Sequence, residues 1–480
     1  MDATANSGRE LSIGRCLDIL DQVSSRSPLY ANLAKLLDQQ LAPQRLPPEI
    51  PSPDFAPFLT IGMATYDDYD GVYFSAQAIR LYHPEVTNCS EILILDNNPR
   101  GKGANALRRL GTRIENCRYL PFGSFQGTTV KDLLFRSARG QFVLSMDSHV
   151  MFTAGSLARL VDFLHGQKAS GDLWQGPMLS DDLMSLSSHF RPKWSGGMYG
   201  CWADKEDADG FDGPPFEIPM QGMGVFTCRR EAWPGFNPRF SGFGGEEGYI
   251  HEKFRRRGDK TLCLPFLRWL HRFDRPMGIP YRPEWKQRIR NYLIGWSELG
   301  LDIQPVIEHF ETHIGQEATQ VAAASTRREM EGPFHAFDAV YSTARAEETE
   351  SWAPLDLDSK IRFMPALETP YNPEIGSALA HRAILAEAKL QRLASVLVFD
   401  SDFDCSENAV IMLGAELSRV HDKHWSVLAL RGATAYREAA YDCLLDELPS
   451  SPSVMALWLK KHGTLREYSG DSCKYAEAVG

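Results

Sequence analysis

Short, almost uninterrupted apolar runs recur along this chain, each ending in a cluster of Asp, Asn, Ser, Thr or His. Residues 58–66 (FLTIGMATY), 91–96 (EILILD) and 141–152 (QFVLSMDSHVMF) are of this kind, and 220–228 (MQGMGVFTC) is a glycine-containing variant. Runs without alternation read as strands buried on both faces, the mark of a parallel sheet covered by helices. Helical spacing follows over 73–82, 129–139, 154–167 and 250–257, and 261–267 reads as a further extended segment. The order strand, helix, strand predicts a doubly wound α/β sheet.

The pattern changes on either side of this core. Apolar positions over 9–41 (Leu11, Ile13, Cys16, Leu17, Leu20, then Leu29, Leu33, Leu36, Leu37) predict two short amphipathic helices. Six prolines between residues 43 and 57 predict an extended connector. The stretch 189–219, dense in Gly, Pro, Asp and aromatic residues, predicts a long lid or binding loop. Trp194, Tyr199 and Trp202 would give it faces suited to sugar rings, and disorder over 204–212 is the alternative. Residues 279–301 are basic and aromatic, helical from Trp285, and serve either as an acceptor surface or as a packing helix; 303–330 continues as helix. A second α/β pattern starts near 334, with a strand at 337–342, a helix at 375–391 and a strand at 395–399 that ends in Asp400-Ser401-Asp402. The expected divisions are 1–42, the linker 43–57, a core domain 58–278, a helical connector 279–332 and a smaller domain 333–480. A length of 480 residues exceeds what one core holds.

Composition removes several function classes. The formal net charge of -11 argues against a broad phosphate-binding face, so nucleic acid is not favoured as a partner. Nine cysteines without a Cys-x-x-Cys pair suggest neither a zinc knuckle nor a disulfide framework, and reduced thiols point to a cytoplasmic protein. No apolar run approaches the roughly 20 residues of a membrane span.

Candidate chemistry collects at the strand ends, the edge where ligands bind in open α/β sheets. Asp147 and His149 are two residues apart, so their side chains point the same way; alone, they are equally a polar strand end that contains a histidine. Thr65, Tyr66, Asp96 and Asn97 close the two preceding runs, placed to touch a nucleotide or merely to begin turns. Gly244-Gly245-Glu246-Glu247 puts paired acids at a helix start, where the dipole favours their charge whether or not they have a function.

Taken in order, Asp147-Ser148-His149, the glycine-containing strand around 222–226, Gly244-Gly245-Glu246-Glu247 and His271 resemble the catalytic domain of the polypeptide N-acetylgalactosaminyltransferases. More broadly they resemble GT-A glycosyltransferases of the family 2 type, over roughly 58–276. The resemblance implies a GT-A fold, a Rossmann-like nucleotide-sugar-binding sheet. It implies Mn²⁺ (or Mg²⁺) held by Asp147, His149 and His271, and a UDP-sugar contacted by Thr65, Tyr66, Asp96, Asn97, Phe243, Gly244, Gly245, Arg272 and Arg275. Glu246 or Glu247 would orient or deprotonate a hydroxyl acceptor. The chain departs from the family pattern at Phe243, where the family has Trp, and at Glu247, where it has Asn. The implied chemistry is coherent: a leaving diphosphate is anionic and a divalent cation stabilises it. Carboxylate and imidazole ligands suit Mn²⁺ better than calcium.

The segment 333–480 resembles the glycosyltransferases of lipooligosaccharide biosynthesis and the related collagen galactosyltransferases, through Gly376, Ala380, His381, Arg382 and Asp400-Ser401-Asp402. That implies a second, smaller GT-A-like domain in which Asp400 and Asp402 form a second site; active, degenerate and purely structural forms stay open. The expectation for the whole is a metal-dependent transferase moving a hexose or HexNAc from a UDP-sugar to a hydroxyl of a protein, a glycan or another acceptor. Transfer to a hydroxylated DNA base and nucleotide-sugar binding without turnover are the rivals, and a homo-oligomer stays open.

Overall fold

The computed structural model describes residues 19–20, 22–24, 26–41, 56–123, 127–204, 213–273, 278, 284–345, 361–366, 373–404, 406–420, 425–430, 432–462 and 475–477. The chain divides into two compact units, 51–331 and 1–50 together with 332–480. Helix α1 (Pro28–Leu41) therefore belongs to the second unit. Most of the expected linker and of the segment 204–212 lies outside the described residues.

The first unit opens with β1 (Leu59–Thr65), α2 (Tyr69–Tyr82), β2 (Ser90–Asp96), α3 (Ala104–Arg113), β3 (Cys117–Pro121), α4 (Lys131–Ser137) and β4 (Phe142–Asp147). The uninterrupted apolar runs are β1, β2 and β4, and they pair in parallel with β1 in the middle; β3 adds to the outer side of β2. Next come β5 (Val150–Phe152), α5 (Ser156–His165), β6 (Leu173–Gln175), β7 (Met178–Leu179), β8 (Leu186–Ser187), β9 (His189–Ser195), β10 (Met198–Ala203), β11 (Phe216–Glu217) and β12 (Val225–Arg229). The unit ends with α6 (Glu247–Arg256), β13 (Thr261–Cys263), β14 (Trp269–His271), α7 (Trp285–Glu298), α8 (Gln304–Ile314) and α9 (Gln316–Glu331). Its large sheet runs β11-β13-β6-β12-β4-β1-β2-β3, with β12 antiparallel between β4 and β6. This is the mixed α/β fold expected, strands alternating with helices, and the carboxyl ends of β1, β2 and β4 lie side by side along one edge.

Two-residue periodicity distributes the strand side chains to two layers. Ile61, Met63, Ile92, Ile94, Leu144 and Met146 pack with Val72, Ala76 and Ile79 of α2 and Leu107 of α3, whereas Leu93 and Leu95 meet Leu133 and Leu134 of α4. Each fully buried Leu or Ile contributes about 1.5–3 kcal/mol. The opposite, amino-terminal edge is tied by Glu91, which accepts hydrogen bonds from Thr60 Oγ1 (2.7 Å), Arg118 Nε (2.8 Å) and the Arg139 amide (2.8 Å).

Several elements differ from the expectation. The stretch expected as a loop from 189 contains the antiparallel hairpin β9–β10, which turns at Gly196 and Gly197 with φ of 56° and 73°. Positive φ at both turn residues matches the twist of a tight hairpin and favours glycine. Trp194 and Tyr199 of this hairpin pack on Tyr292, Trp296 and Phe310 of α7 and α8. Helix α2 starts at Tyr69 rather than 73 because Asp68 caps it, its Oδ1 accepting the Gly71 amide at 3.1 Å. The helix α3 and strand β3 were not anticipated.

The second unit holds β15 (Ala339–Ser342), β16 (Ile361–Phe363), α10 (Pro373–Gln391), β17 (Ser395–Phe399), α11 (Glu407–Val420), β18 (Val427–Leu430), β19 (Ala433–Arg437), α12 (Glu438–Glu447), α13 (Pro452–His462) and β20 (Tyr475–Glu477). Its sheet runs β16-β15-β17-β19-β18-β20. Parallel β16-β15-β17 with β19 antiparallel beside β17 repeats the order β2-β1-β4-β12 of the first unit. The likeness extends to one hydrogen bond: Asp147 N–H donates to Gly224 O (2.8 Å) and Asp400 N–H to Gly432 O (2.9 Å). Leu20 and, from α1, Leu33 complete this unit's core beside Met455 and Leu459 of α13.

Candidate active site

The strand β4 delivers Asp147 at its last position, and the chain turns at once into β5, which places His149 on the same edge. The three-residue strand β14 pairs antiparallel with β5, His271 opposite Val150, and so carries His271 to the neighbourhood of His149. Asp147, His149 and His271 each offer a ligand atom, and these atoms lie within 4.8 Å of one another. His149 Nε2 and His271 Nε2 are 3.1 Å apart, and His271 Nε2 is 3.4 Å from Asp147 Oδ2. Among the described residues this is the one group of three that could hold a metal ion.

Two residues that sequence reasoning missed arrange this group. Asp68 accepts at Oδ2 from His149 Nδ1–H (2.8 Å) and from Ser148 Oγ (3.1 Å), and at Oδ1 from Arg272 (3.0 Å). With its Nδ1 proton engaged, His149 turns a lone pair at Nε2 toward His271, the arrangement of a metal-binding histidine held by a carboxylate. Lys131 donates to Asp147 Oδ1 (3.0 Å) and to the Met223 carbonyl (2.6 Å). Burial pushes the Asp147 carboxyl up, but Lys131 and the two histidines outweigh it and hold it well below the usual carboxylate range. The signals were present: Asp68 sits among three acids in TYDDYD, and Lys131 is a lone cation in TTVKDLLF. Neither announces which partner it meets in space.

The donor set fits a divalent transition ion. Two imidazole nitrogens and a carboxylate oxygen lie close enough to share one cation, which would take the place of the proton that now links His271 to its neighbours.

A pair of acids sits at the start of α6. Gly242, Gly244 and Gly245 have φ of 64°, 100° and 93°, and a Cβ at Gly244 would run into the Arg288 side chain. The loop they form lies against α7, fastened by Asn291 Nδ2, which donates to the carbonyls of Ser241 and Gly244 (both 2.9 Å). Glu246 is buried and accepts at Oε1 from Thr128 Oγ1 (2.9 Å), while Glu246 Oε2 and Glu247 Oε2 have no protein partner. Burial raises both carboxyl groups, and the charge of Glu246 adds to the rise at Glu247, which is pushed up to about 8. His251 Nδ1–H donates to the Glu247 carbonyl and its Nε2 accepts the Gln221 amide (3.2 Å). Burial lowers this ring to about 3, so it stays neutral and fixes the first turn of α6.

The other expected residues are placed as follows. Thr65 and Asn97 lie at the ends of β1 and β2, joined by Asn97 N–H to Thr65 O (2.8 Å), and Tyr66 is half-buried beside them. Asp96 is fully buried, accepting from Tyr119 OH (2.7 Å) and the Asn98 amide (3.0 Å). Phe243 is half-buried, and Arg272 is held on Asp68. Arg275 lies outside the described residues. In the second unit Asp400 is buried and accepts from His381 Nε2 (2.9 Å), whose Nδ1 accepts from Tyr436 OH (2.8 Å). Asp402 is exposed. Among the described residues these two acids do not join a third ligand in a group like that of Asp147. No described helix is long and apolar enough to cross a membrane.

No protein-family model matches the sequence, and no curated protein matches it. Among solved structures the chain is similar to GalNAc-T7 with UDP, GalNAc and Mn²⁺, at 15% identity and a TM-score of 0.38, covering 53% of this chain and 54% of that one. It is also similar to the mannosyltransferase PcManGT from Pyrobaculum calidifontis in complex with GDP-Man and Mn²⁺, at 15% identity and TM-score 0.34, covering 66% and 87% of the two chains. The third is S. aureus TarS, at 10% identity and TM-score 0.33, covering 54% and 43%. The match thus spans about half of the GalNAc-T7 chain.

Proposed function

We propose that this protein is a metal-dependent glycosyltransferase that moves a hexose or HexNAc from a UDP-sugar to a hydroxyl acceptor, working at the carboxyl edge of the sheet in unit 51–331. The observation that carries the proposal is the convergence of Asp147, His149 and His271, with His149 set by Asp68. Mn²⁺ or Mg²⁺ would bind these three and neutralise the departing diphosphate. Thr65, Tyr66, Asp96 and Asn97 form the end of the sheet against which the uridine rests. Arg272 and Arg275 add positive charge for the phosphates. Gly244 and Gly245, free of Cβ atoms, let the sugar approach the backbone. Glu246 and Glu247 meet the acceptor: the pair holds a proton near neutral pH, and its ionised form takes the proton of the attacking hydroxyl. Asp400 and Asp402 belong to a related scaffold, and their unit serves binding or structure.

The test is UDP release across a panel of UDP-sugars with Mn²⁺ and with EDTA, for wild type and Asp147→Ala. Release that needs the metal and is lost in the variant supports the reading. Release surviving in Asp147→Ala moves the chemistry to Asp400 and Asp402. Tight UDP binding without release, with any acceptor hydroxyl supplied, leaves a binding protein.

A further inference from the structure

A cavity of about 290 Å³ lies between α2 and α3, lined by Tyr69, Tyr73, Gln77, Arg80, Arg109 and Arg113 among others. Arg80 donates to Gln77 Oε1 (2.9 Å), and among the described residues none of the three arginines has a carboxylate partner. Three guanidinium groups without a carboxylate partner around one cavity favour an anion, and they do so in a chain whose formal net charge is -11. Besides the cavity lining, in which Tyr73 is 37% exposed, α2 exposes Phe74 (58%) and Leu81 (69%). Tyr73, Phe74, Gln77, Arg80 and Leu81 recur at three- and four-residue spacing, so they share one outward face of α2.

Large apolar residues this exposed, on the same helix that lines a cationic cavity, are unusual on a face that meets only water. A soluble anion accounts for the arginines and leaves Phe74 and Leu81 unexplained. An anionic lipid surface accounts for both, because apolar side chains enter the acyl boundary while guanidinium groups take the headgroup phosphates. The negative charge of the whole chain opposes general attraction to such a surface, so this local face must supply it. We propose that the α2–α3 face docks this protein peripherally on an anionic membrane surface, with a lipid phosphate in the Arg80–Arg109–Arg113 cavity.

Flotation of the full chain with vesicles of phosphatidylcholine, alone and with 30% phosphatidylserine, tests this. Partition to the acidic vesicles, weakened by high salt, is expected. Arg109→Ala with Arg113→Ala should lower it about 30-fold, at ~1 kcal/mol per side chain, and Phe74→Ser with Leu81→Ser should abolish it. Unchanged circular dichroism and melting of both double variants keep the comparison free of unfolding. Absence of vesicle binding overturns the proposal, as does equal binding to neutral vesicles or binding indifferent to both pairs of substitutions. Self-association lost in Phe74→Ser with Leu81→Ser, without vesicle binding, assigns the face to a second copy and overturns it too. So does binding of inorganic phosphate alone that the arginine variant removes.

Discussion

Replacing Asp68 separates the proposed metal centre from a chance cluster of polar residues. Its carboxylate takes four hydrogen bonds, from the Gly71 amide, Ser148 Oγ, His149 Nδ1 and Arg272. Asp68→Asn keeps an oxygen for the Gly71 cap but removes the charge that fixes His149 and pairs with Arg272. Loss of such a support behind a ligating histidine typically weakens metal affinity 10–100-fold, about 1.4–2.7 kcal/mol. Asp68→Ala removes the cap as well, costing about 1 kcal/mol of folding stability, or roughly 2–4 °C in Tm for a unit of this size. The assay is Mn²⁺ titration by calorimetry without any sugar, beside Asp70→Asn, an exposed acid in the first turn of the same helix. Weakening of 10-fold or more in Asp68→Asn with Asp70→Asn unchanged is the expected result. If Asp68→Asn binds Mn²⁺ as tightly as the wild type, His149 does not owe its orientation to Asp68 and the reasoning fails.

Further outcomes follow from the same geometry. Burial raises Glu247 to about 8, so its proton-accepting form fills in as pH rises through that value; the transfer rate should climb across pH 7–9, and Glu247→Gln should be slow and flat over the range. Because Glu246 and Glu247 share their titration, the inflection belongs to the pair, and a limb that persists in the Gln variant sinks this assignment. Arg290 is buried and grips Glu329 through two bonds of 2.7 and 2.6 Å; Arg290→Met takes the guanidinium away from that carboxylate and should cost about 3–5 kcal/mol in urea unfolding. Gly244→Ala should lose more than ~1 kcal/mol, since φ of 100° and the Arg288 side chain both oppose a Cβ; an unchanged unfolding midpoint counts against the described loop.

What the sequence revealed, and what it hid, has a physical pattern. The strands β1, β2 and β4 are buried on both faces, so their composition alone declares them, and the polar residues at their ends mark the edge. The strand β3, CRYLP, is only half-buried along its length and has no such run. The helix α3, ANALRRLGTR, buries just Ala104, Leu107, Leu110 and Gly111. The hairpin β9–β10 escaped because Arg191, Pro192 and Lys193 face outward and interrupt any apolar pattern. His271 could be matched by order along the chain, but β14 has three residues, too few to show a period, and only pairing with β5 explains its place. Asp68, Lys131 and Thr128 became visible when distant segments met.

Helix α1 has a consequence for synthesis. Leu33 on α1 packs with Met455 and Leu459 on α13, and the whole of unit 51–331 is made between them. At about 5–20 residues per second, some 20–80 s pass between emergence of the two helices. The inserted unit has time to fold while α1 waits, its apolar stripe uncovered and within reach of chaperones. A fragment begun at residue 332 would never receive that stripe, and Met455, Ala456 and Leu459 would stay open on its surface. The second unit is thus completed last, around a helix made long before it.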